Sequence, residues 1–321
     1  MQRGVILDYA SLAPADLVLE GLLNCLPHWD IHETTAPDQV AARIAAAEVV
    51  LTNKVVLDAA ALAAAPQLRL IAVMATGTNN IDLPAAARRG ITVCNAVGYS
   101  TPSVVQHTFA LLLALSTRLV DYHQAVRRGD WHRSPFFCLL DYPIEELAGR
   151  RLGLVGRGAL GQAVAAVARA FGMEVRFAAS LRRDAPPDPG RPPLAELLAW
   201  ADVLSLHCPY SAETHALIDA AALDRMRPGA LLINTARGGI VDEQALADAL
   251  RSGHLGGAGI DVLATEPPRD GSSPLLAAGL PNLILSPHSA WGSRQSRQRL
   301  VDQLAQIVDG FVAGRVHNRV L

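Results

Sequence analysis

Cysteine is scarce: Cys25, Cys94, Cys138 and Cys208 lie far apart and show no C-x-x-C spacing. That scarcity speaks against a disulfide-stapled framework and against a paired-cysteine zinc site, and it fits reduced, mostly buried thiols in a cytoplasmic protein. An excess of either charge is also missing. Against 28 Lys and Arg stand 30 Asp and Glu, a net charge of −2, so neither nucleic acid nor an anionic membrane is expected as a partner. Long apolar runs are absent too. The longest strongly apolar stretch, Phe109 to Leu115, falls far short of the roughly twenty residues a bilayer demands. At the N-terminus an acid, Asp8, arrives before any signal-type apolar core develops. No fixed-period repeat or low-complexity linker is evident, and the lack of a long disordered extension or basic region weighs against a purely regulatory protein.

What remains is a compact chain of 321 residues, 50% hydrophobic and 18% charged, long enough for two domains with full cores. Its clearest local signature is Arg151 to Val155, an apolar strand, followed by Gly156, Gly158 and Gly161 in G-x-G-x-x-G spacing and a helical run from Gln162 to Phe171. A second strand-like segment, 173–178, completes a βαβ unit. In that setting Gly156 permits the tight turn, Gly158 lets backbone approach a pyrophosphate, and Gly161 lets helix pack on strand. The free N–H groups at the helix start, around Ala159 and Leu160, face the anion. Three glycines alone would be weak grounds, since glycine serves any turn; the βαβ context is what points to dinucleotide binding.

Apolar segments at Val5–Leu7, Val49–Leu51, Leu68–Met74 and Ile91–Cys94 read as strands, with helical patterns over 16–23, 41–47, 58–64 and 84–89 between them. A long apolar helix starts at Thr101-Pro102 and runs towards Leu119. Strands are expected again at 151–155, 173–178, 202–206, 230–233, 257–261 and 282–285, and a last helix over 294–312. Such alternation gives an α/β fold with parallel, doubly wound sheets. The stretch 127–146 is irregular and aromatic, holding Trp131, Phe136, Phe137, Leu139, Leu140 and Tyr142. It is either a subunit-contact arm or a segment that packs on its own domain.

Three polar residues stand just beyond strands in the second half: Arg237 in NTARGGIVD, Glu266 in GIDVLATEP and His288 in LSPHSAW. Strand carboxyl ends line the ligand crevice of a doubly wound sheet, so all three can converge there. Singly, each has a plain alternative, as a residue before a turn, a solvated loop acid and a helix cap. Together they supply a fixed cation, a proton donor and a carboxylate to tune it, the set needed to reduce a 2-keto acid by hydride transfer. A neighbouring carboxylate favours the imidazolium form of a histidine, and arginine's planar fork matches a substrate carboxylate.

GRGALG, NTARGGIVDE, GAGIDVLATEP and SPHSAW, with MATGTNNID (74–82) and AFGMEV (170–175), resemble the D-isomer-specific 2-hydroxyacid dehydrogenase family over nearly the whole chain. The likeness is greatest to its hydroxypyruvate reductase and glycerate dehydrogenase branch, through Trp291, the 74–82 loop and YSTPSVVQHTFALLL. The resemblance implies two Rossmann-like domains, with a cofactor domain (100–288) inserted into a discontinuous substrate domain (1–99 and 289–321), and a hinge near 96–100 and 287–290. It implies that Arg237 binds the substrate carboxylate and carbonyl, that His288 is the acid/base and that Glu266 hydrogen-bonds its imidazole. Backbone amides of Thr76 and Gly77 would hold the carboxylate, Trp291 would line the substrate site, and Asp261 would face the nicotinamide. The cofactor set would further include Arg157, whose side chain faces either phosphates or solvent, and His207, Cys208, Pro209, Thr214, Thr235 and Ala236. His107 is given no chemistry.

An NAD-selecting site carries an acid at the end of the second strand. Here the segment ends Phe177-Ala-Ala-Ser180, with Ala179 at that position and Ser180, Arg182 and Arg183 after it. Serine and arginine suit a 2′-phosphate where an acid would repel one, so NADP(H) is favoured over NAD(H); solvated loop arginines are the plain alternative. Hydroxypyruvate or glyoxylate is the expected substrate and a homodimer the expected assembly. Oxidation of phosphite or formate, or dinucleotide sensing without turnover, are the alternatives within the resemblance.

Overall fold

The structure, a computed structural model, describes residues 1–182, 188–271, 273–277 and 279–321. They form two compact units, one from Met1–Ser100 with Trp291–Leu321 and one from Thr101–Ala290.

The first unit is built from β1 (Arg3–Ile6), α1 (Glu20–Leu23), β2 (His28–Ile31), α2 (Val40–Ile44), β3 (Val49–Thr52), α3 (Ala59–Ala63), β4 (Leu70–Val73), α4 (Leu83–Arg88) and β5 (Thr92–Asn95). Its strands pair in parallel in the order β2-β1-β3-β4-β5. Every residue of β3 and β4 is buried, as expected for central parallel strands covered on both faces. Side chains alternate across the sheet. Val5, Val50, Ile71 and Val73 feed the core under α2, α3 and α4, while Ile6, Leu51, Leu70 and Ala72 feed the opposite one.

Two elements depart from the sequence expectation. The edge strand β2 carries only half-buried and exposed residues, so no apolar run announces it. Gly4 makes room for it: a Cβ there would stand 2.4 Å from the Trp29 ring. The helix expected over 16–23 shrinks to the single turn α1, because Ala13 is left-handed (φ 47°), Pro14–Asp16 is a 3-10 turn and Leu17 is extended.

The second unit comprises α5 (Thr101–Ser116), α6 (Leu119–Arg127), β6 (Arg151–Val155), α7 (Ala159–Ala170), β7 (Glu174–Phe177), α8 (Leu194–Trp200), β8 (Val203–Leu206), α9 (Ala220–Arg225), β9 (Leu231–Asn234), α10 (Glu243–Arg251), β10 (Gly257–Ile260) and β11 (Leu283–Leu285). Its six strands are parallel, in the order β11-β10-β9-β8-β6-β7. The expected helix towards Leu119 ends at Ser116. Arg118 adopts φ 54°, its guanidinium 2.6 Å from Asp121, and α6 begins after it. Glycines in β10 bring α5 close, since a Cβ on Gly259 would lie 2.9 Å from the Leu111 side chain. Residues 128–146 hold little regular structure and leave Phe136, Phe137 and Leu140 largely exposed, Phe137 at 91%.

The last helix, α11 (Arg294–Val312), belongs to the first unit, where Leu300, Leu304, Ile307 and Val308 complete the second core. Among the described residues no single helix is long and apolar enough to cross a membrane.

Candidate active site

The order of the six-stranded sheet reverses between β6 and β8. The loops leaving those strands therefore diverge and open a crevice at their carboxyl ends. Gly156 turns the chain there with φ 107°, and a Cβ on it would strike the His207 carbonyl oxygen at 2.4 Å. A Cβ on Gly161 would stand 2.1 Å from the Gly156 oxygen, while Gly158 faces open space. The α7 N-terminus has no side-chain cap, and the first amides of a helix lack partners within it. Uncapped amides, a helix dipole and an open glycine fit a dinucleotide pyrophosphate.

Around this cradle the neighbouring residues have structural partners of their own. The exposed Arg157 pairs with the half-buried Asp188 at 3.2 Å. His207 is buried and bonds Ser205 Oγ through Nε2 at 2.8 Å, while its Nδ1 has no partner among the described residues. Burial pulls His207 down to about 4 and pushes the Cys208 thiol up to about 11. Thr214 shapes the loop after Pro209, donating to the Pro209 carbonyl and accepting from Ser211 N. Past β7, Ala179 N donates to Pro192 O and the exposed Ser180 accepts from Arg182 N. Arg183 lies outside the described residues. Arg191, not singled out by its sequence, reaches the same strand end and donates to Ala178 O at 2.7 Å.

The catalytic candidates sit beyond β9, β10 and β11. After β9, Asn234 folds the turn, its Oδ1 accepting from Ala236 N and its Nδ2 donating to Arg237 O. Thr235 is buried within hydrogen-bond distance of Thr108. Arg237 is half-buried, with one guanidinium nitrogen donating to Ala236 O at 2.7 Å. Gly238 must be glycine: a Cβ would stand 1.9 Å from Leu263 C, in the loop that carries Glu266. Glu266 Oε1 accepts from Leu263 N at 2.8 Å, and Oε2 stands 2.5 Å from His288 Nδ1, with both side chains partly exposed. A cavity of about 380 Å³ lies against this pair, walled by Leu263, Pro267, Leu276, Leu285 and Pro287.

His288 itself has φ 51°, a left-handed conformation that a residue with a Cβ holds only where its surroundings demand it. Asp261 makes that demand. Its carbonyl accepts from His288 N at 2.7 Å, Oδ1 from Ser286 Oγ at 2.6 Å and Ser289 N at 2.9 Å, and Oδ2 from Ala290 N at 2.9 Å. His107 Nε2 joins from α5, 2.8 Å from Ser286 Oγ and 3.4 Å from Asp261 Oδ1. Burial by itself would raise the Asp261 carboxyl. The bonds from His107, Ser286, Ala290 and Ser289 outweigh it and hold the group below the ordinary carboxylate range. Sequence reasoning missed Ser286 and His107 as partners here, although SPHSAW and QHTF held both residues in plain view.

Thr76, Gly77 and Trp291 belong to the first unit. Thr76 and Gly77 follow β4, where Thr76 Oγ1 donates to Ala96 O and Asn95 Nδ2 donates to Thr76 O. Trp291 stands edge-on to Tyr99 with ring centroids 6.4 Å apart.

Residues 109–290 match the family described as D-isomer specific 2-hydroxyacid dehydrogenase, NAD binding domain. A glycerate dehydrogenase of Methylorubrum extorquens is 46% identical over 291 residues, covering 91% of each chain. A hydroxypyruvate reductase of Blautia hydrogenotrophica is 37% identical over 98% of each. Among solved structures, an NADPH-dependent glyoxylate/hydroxypyruvate reductase from Sinorhizobium meliloti, in complex with NADP and malonate, superposes with a TM-score of 0.83 at 29% identity. That match covers 99% of this chain and 96% of the other.

Proposed function

The chain belongs to the D-isomer specific 2-hydroxyacid dehydrogenase family, and on that premise we propose that it reduces a small 2-keto acid, hydroxypyruvate or glyoxylate foremost, to the D-2-hydroxy acid. The observation that carries the reading is the Glu266–His288 pair at 2.5 Å, with His288 on a left-handed turn that Asp261 holds at the carboxyl edge of the sheet.

When bound, the reduced nicotinamide supplies the hydride. Glu266 takes the hydrogen bond from His288 Nδ1, which fixes the ring and leaves Nε2 to hold the proton that is transferred. As the carbonyl carbon gains the hydride, the C=O π pair collapses onto oxygen and takes that proton. Arg237 binds the substrate carboxylate and draws charge onto the carbonyl oxygen. Water returns a proton to the imidazole.

NADPH is the favoured reductant. The strand end carries Ala179 and Ser180 where an acid would select NADH, with Arg182 and Arg191 close in sequence or contact. The NADPH dependence in the Sinorhizobium meliloti protein's description supports the same reading. The exposed Phe136, Phe137 and Leu140 support a homodimer in which this arm is covered, and four free cysteines support a reducing, cytoplasmic setting.

The test is kcat/KM for hydroxypyruvate, glyoxylate and bulkier 2-keto acids, each with NADPH and with NADH. Turnover of the small acids with NADPH preferred is expected. A clear NADH preference overturns the cofactor choice, and tight dinucleotide binding without turnover of any acid overturns the enzyme reading in favour of a sensor.

A further inference from the structure

Glu243 opens α10, a place where an acid commonly stays in solvent and complements the helix dipole. Capping there is already done by Asp242, whose carboxylate accepts from Gln244 N and Ala245 N. The Glu243 carboxylate instead crosses to the loop after β10. Its Oε1 accepts from Ala264 N at 2.6 Å and its Oε2 from Ser273 Oγ at 2.5 Å. Ser273 is 8% exposed and turns its hydroxyl oxygen towards Leu275 N as well, so its end of the loop is anchored in the fold.

Ala264 and Ser273 bracket the segment that carries Glu266, and only Thr265 separates Ala264 from Glu266. One carboxylate therefore ties both ends of the catalytic loop to the helix that follows the Arg237 turn. Gly238, in the Arg237 turn itself, also approaches Leu263 and Ala264 closely, a contact that gives packing without direction. We infer that Glu243 is a positioning residue: it sets Glu266 against His288 and keeps that pair in register with Arg237, touching neither substrate nor cofactor. The inference rests on the acid/base reading of His288 given above.

The experiment uses the full-length protein with Glu243→Ala, Glu243→Gln and Ser273→Ala, alone and combined with Glu266→Gln. It follows hydroxypyruvate reduction, dinucleotide Kd, and the proton NMR resonance of the hydrogen-bonded His288 Nδ1–H, identified by its loss in Glu266→Gln. Glutamine keeps an acceptor for Ala264 N and lets the Ser273 hydroxyl rotate to accept, yet it removes the charge that a helix dipole would feel. A positioning role predicts that Glu243→Ala lowers kcat/KM by about ten- to a hundredfold, leaves dinucleotide Kd unchanged, weakens the Nδ1–H resonance, and costs almost nothing more in the Glu266→Gln background. Ser273→Ala shows the same pattern in smaller degree, and Glu243→Gln stays near wild type. Losses that multiply independently across the cycle, or a Glu243→Gln variant as impaired as Glu243→Ala, overturn the inference and leave a helix-dipole role. Should the wild type reduce no keto acid, the functional reading fails by itself. The resonance still decides this one: intact in Glu243→Ala and Ser273→Ala, it sinks the positioning role.

Discussion

Both sheets reverse their order at one strand, and each fills the resulting crevice differently. In the first unit the reversal lies between β1 and β3, and the chain places an acid there. Asp8, 8% exposed, accepts from Asn53 N at 2.9 Å and from Lys54 N at 2.7 Å. In the second the reversal lies between β6 and β8, and Gly156 meets the His207 backbone with no side chain between them. One crevice thus satisfies its amides with a carboxylate of its own. The other keeps the amides of an uncapped helix for an anion from outside. The shared architecture says nothing about binding; the loop residues at the switch point decide it.

The comparison breaks most sharply at Gly156. Gly156→Ala puts a methyl group 2.4 Å from the His207 oxygen at φ 107°, so the turn has to move. Dinucleotide Kd should rise by about a hundredfold or more, as read by fluorescence titration. Asp8→Asn should leave that Kd untouched and cost about 1–3 kcal/mol of stability instead. A cofactor defect in Asp8→Asn, or none in Gly156→Ala, would erase the contrast.

Next in size is the acid response of the second crevice. Burial depresses His207 from its ordinary value to about 4. Above pH ~6.5 neither folded nor unfolded chain protonates this ring, so its contribution is fully present. As the pH falls from ~6.5 towards 4, only the unfolded chain takes up the proton, and roughly 3 kcal/mol of stability is lost. His207→Gln should remove that slope in urea unfolding run at pH 7 and pH 4.5; an unchanged slope would show that another group carries it.

A smaller effect is expected at the strand end. Ala179→Asp supplies the acid missing after β7 and should move the NADPH-to-NADH ratio of kcat/KM by about tenfold towards NADH. A ratio that stays put would remove this strand end from cofactor choice.

The sequence made the strands legible because buried parallel strands are apolar on both faces. Leu152–Val155, Val203–Leu206 and Leu231–Ile233 read as such, and all lie in the six-stranded sheet. The glycine loop was legible because its spacing is local. The edge strand β2 was not, since an edge needs no apolar run and Trp29 fills space left by Gly4. The catalytic corner was legible only as residue types. Which acid reaches which loop depends on contacts far along the chain: Asp261 to Ser289 and Glu243 to Ser273. Asp261 was expected at the nicotinamide, and its carboxylate is engaged with the turn that carries His288.

His288, held by Glu266 and Asp261, is the group proposed to move the proton in keto-acid reduction. The most direct test of that role is the kcat of His288→Gln with hydroxypyruvate, taken beside the NADPH Kd of the same protein. A fall in kcat of about a thousandfold or more, with Kd within about twofold of wild type, is the predicted result. Near-normal turnover would contradict it.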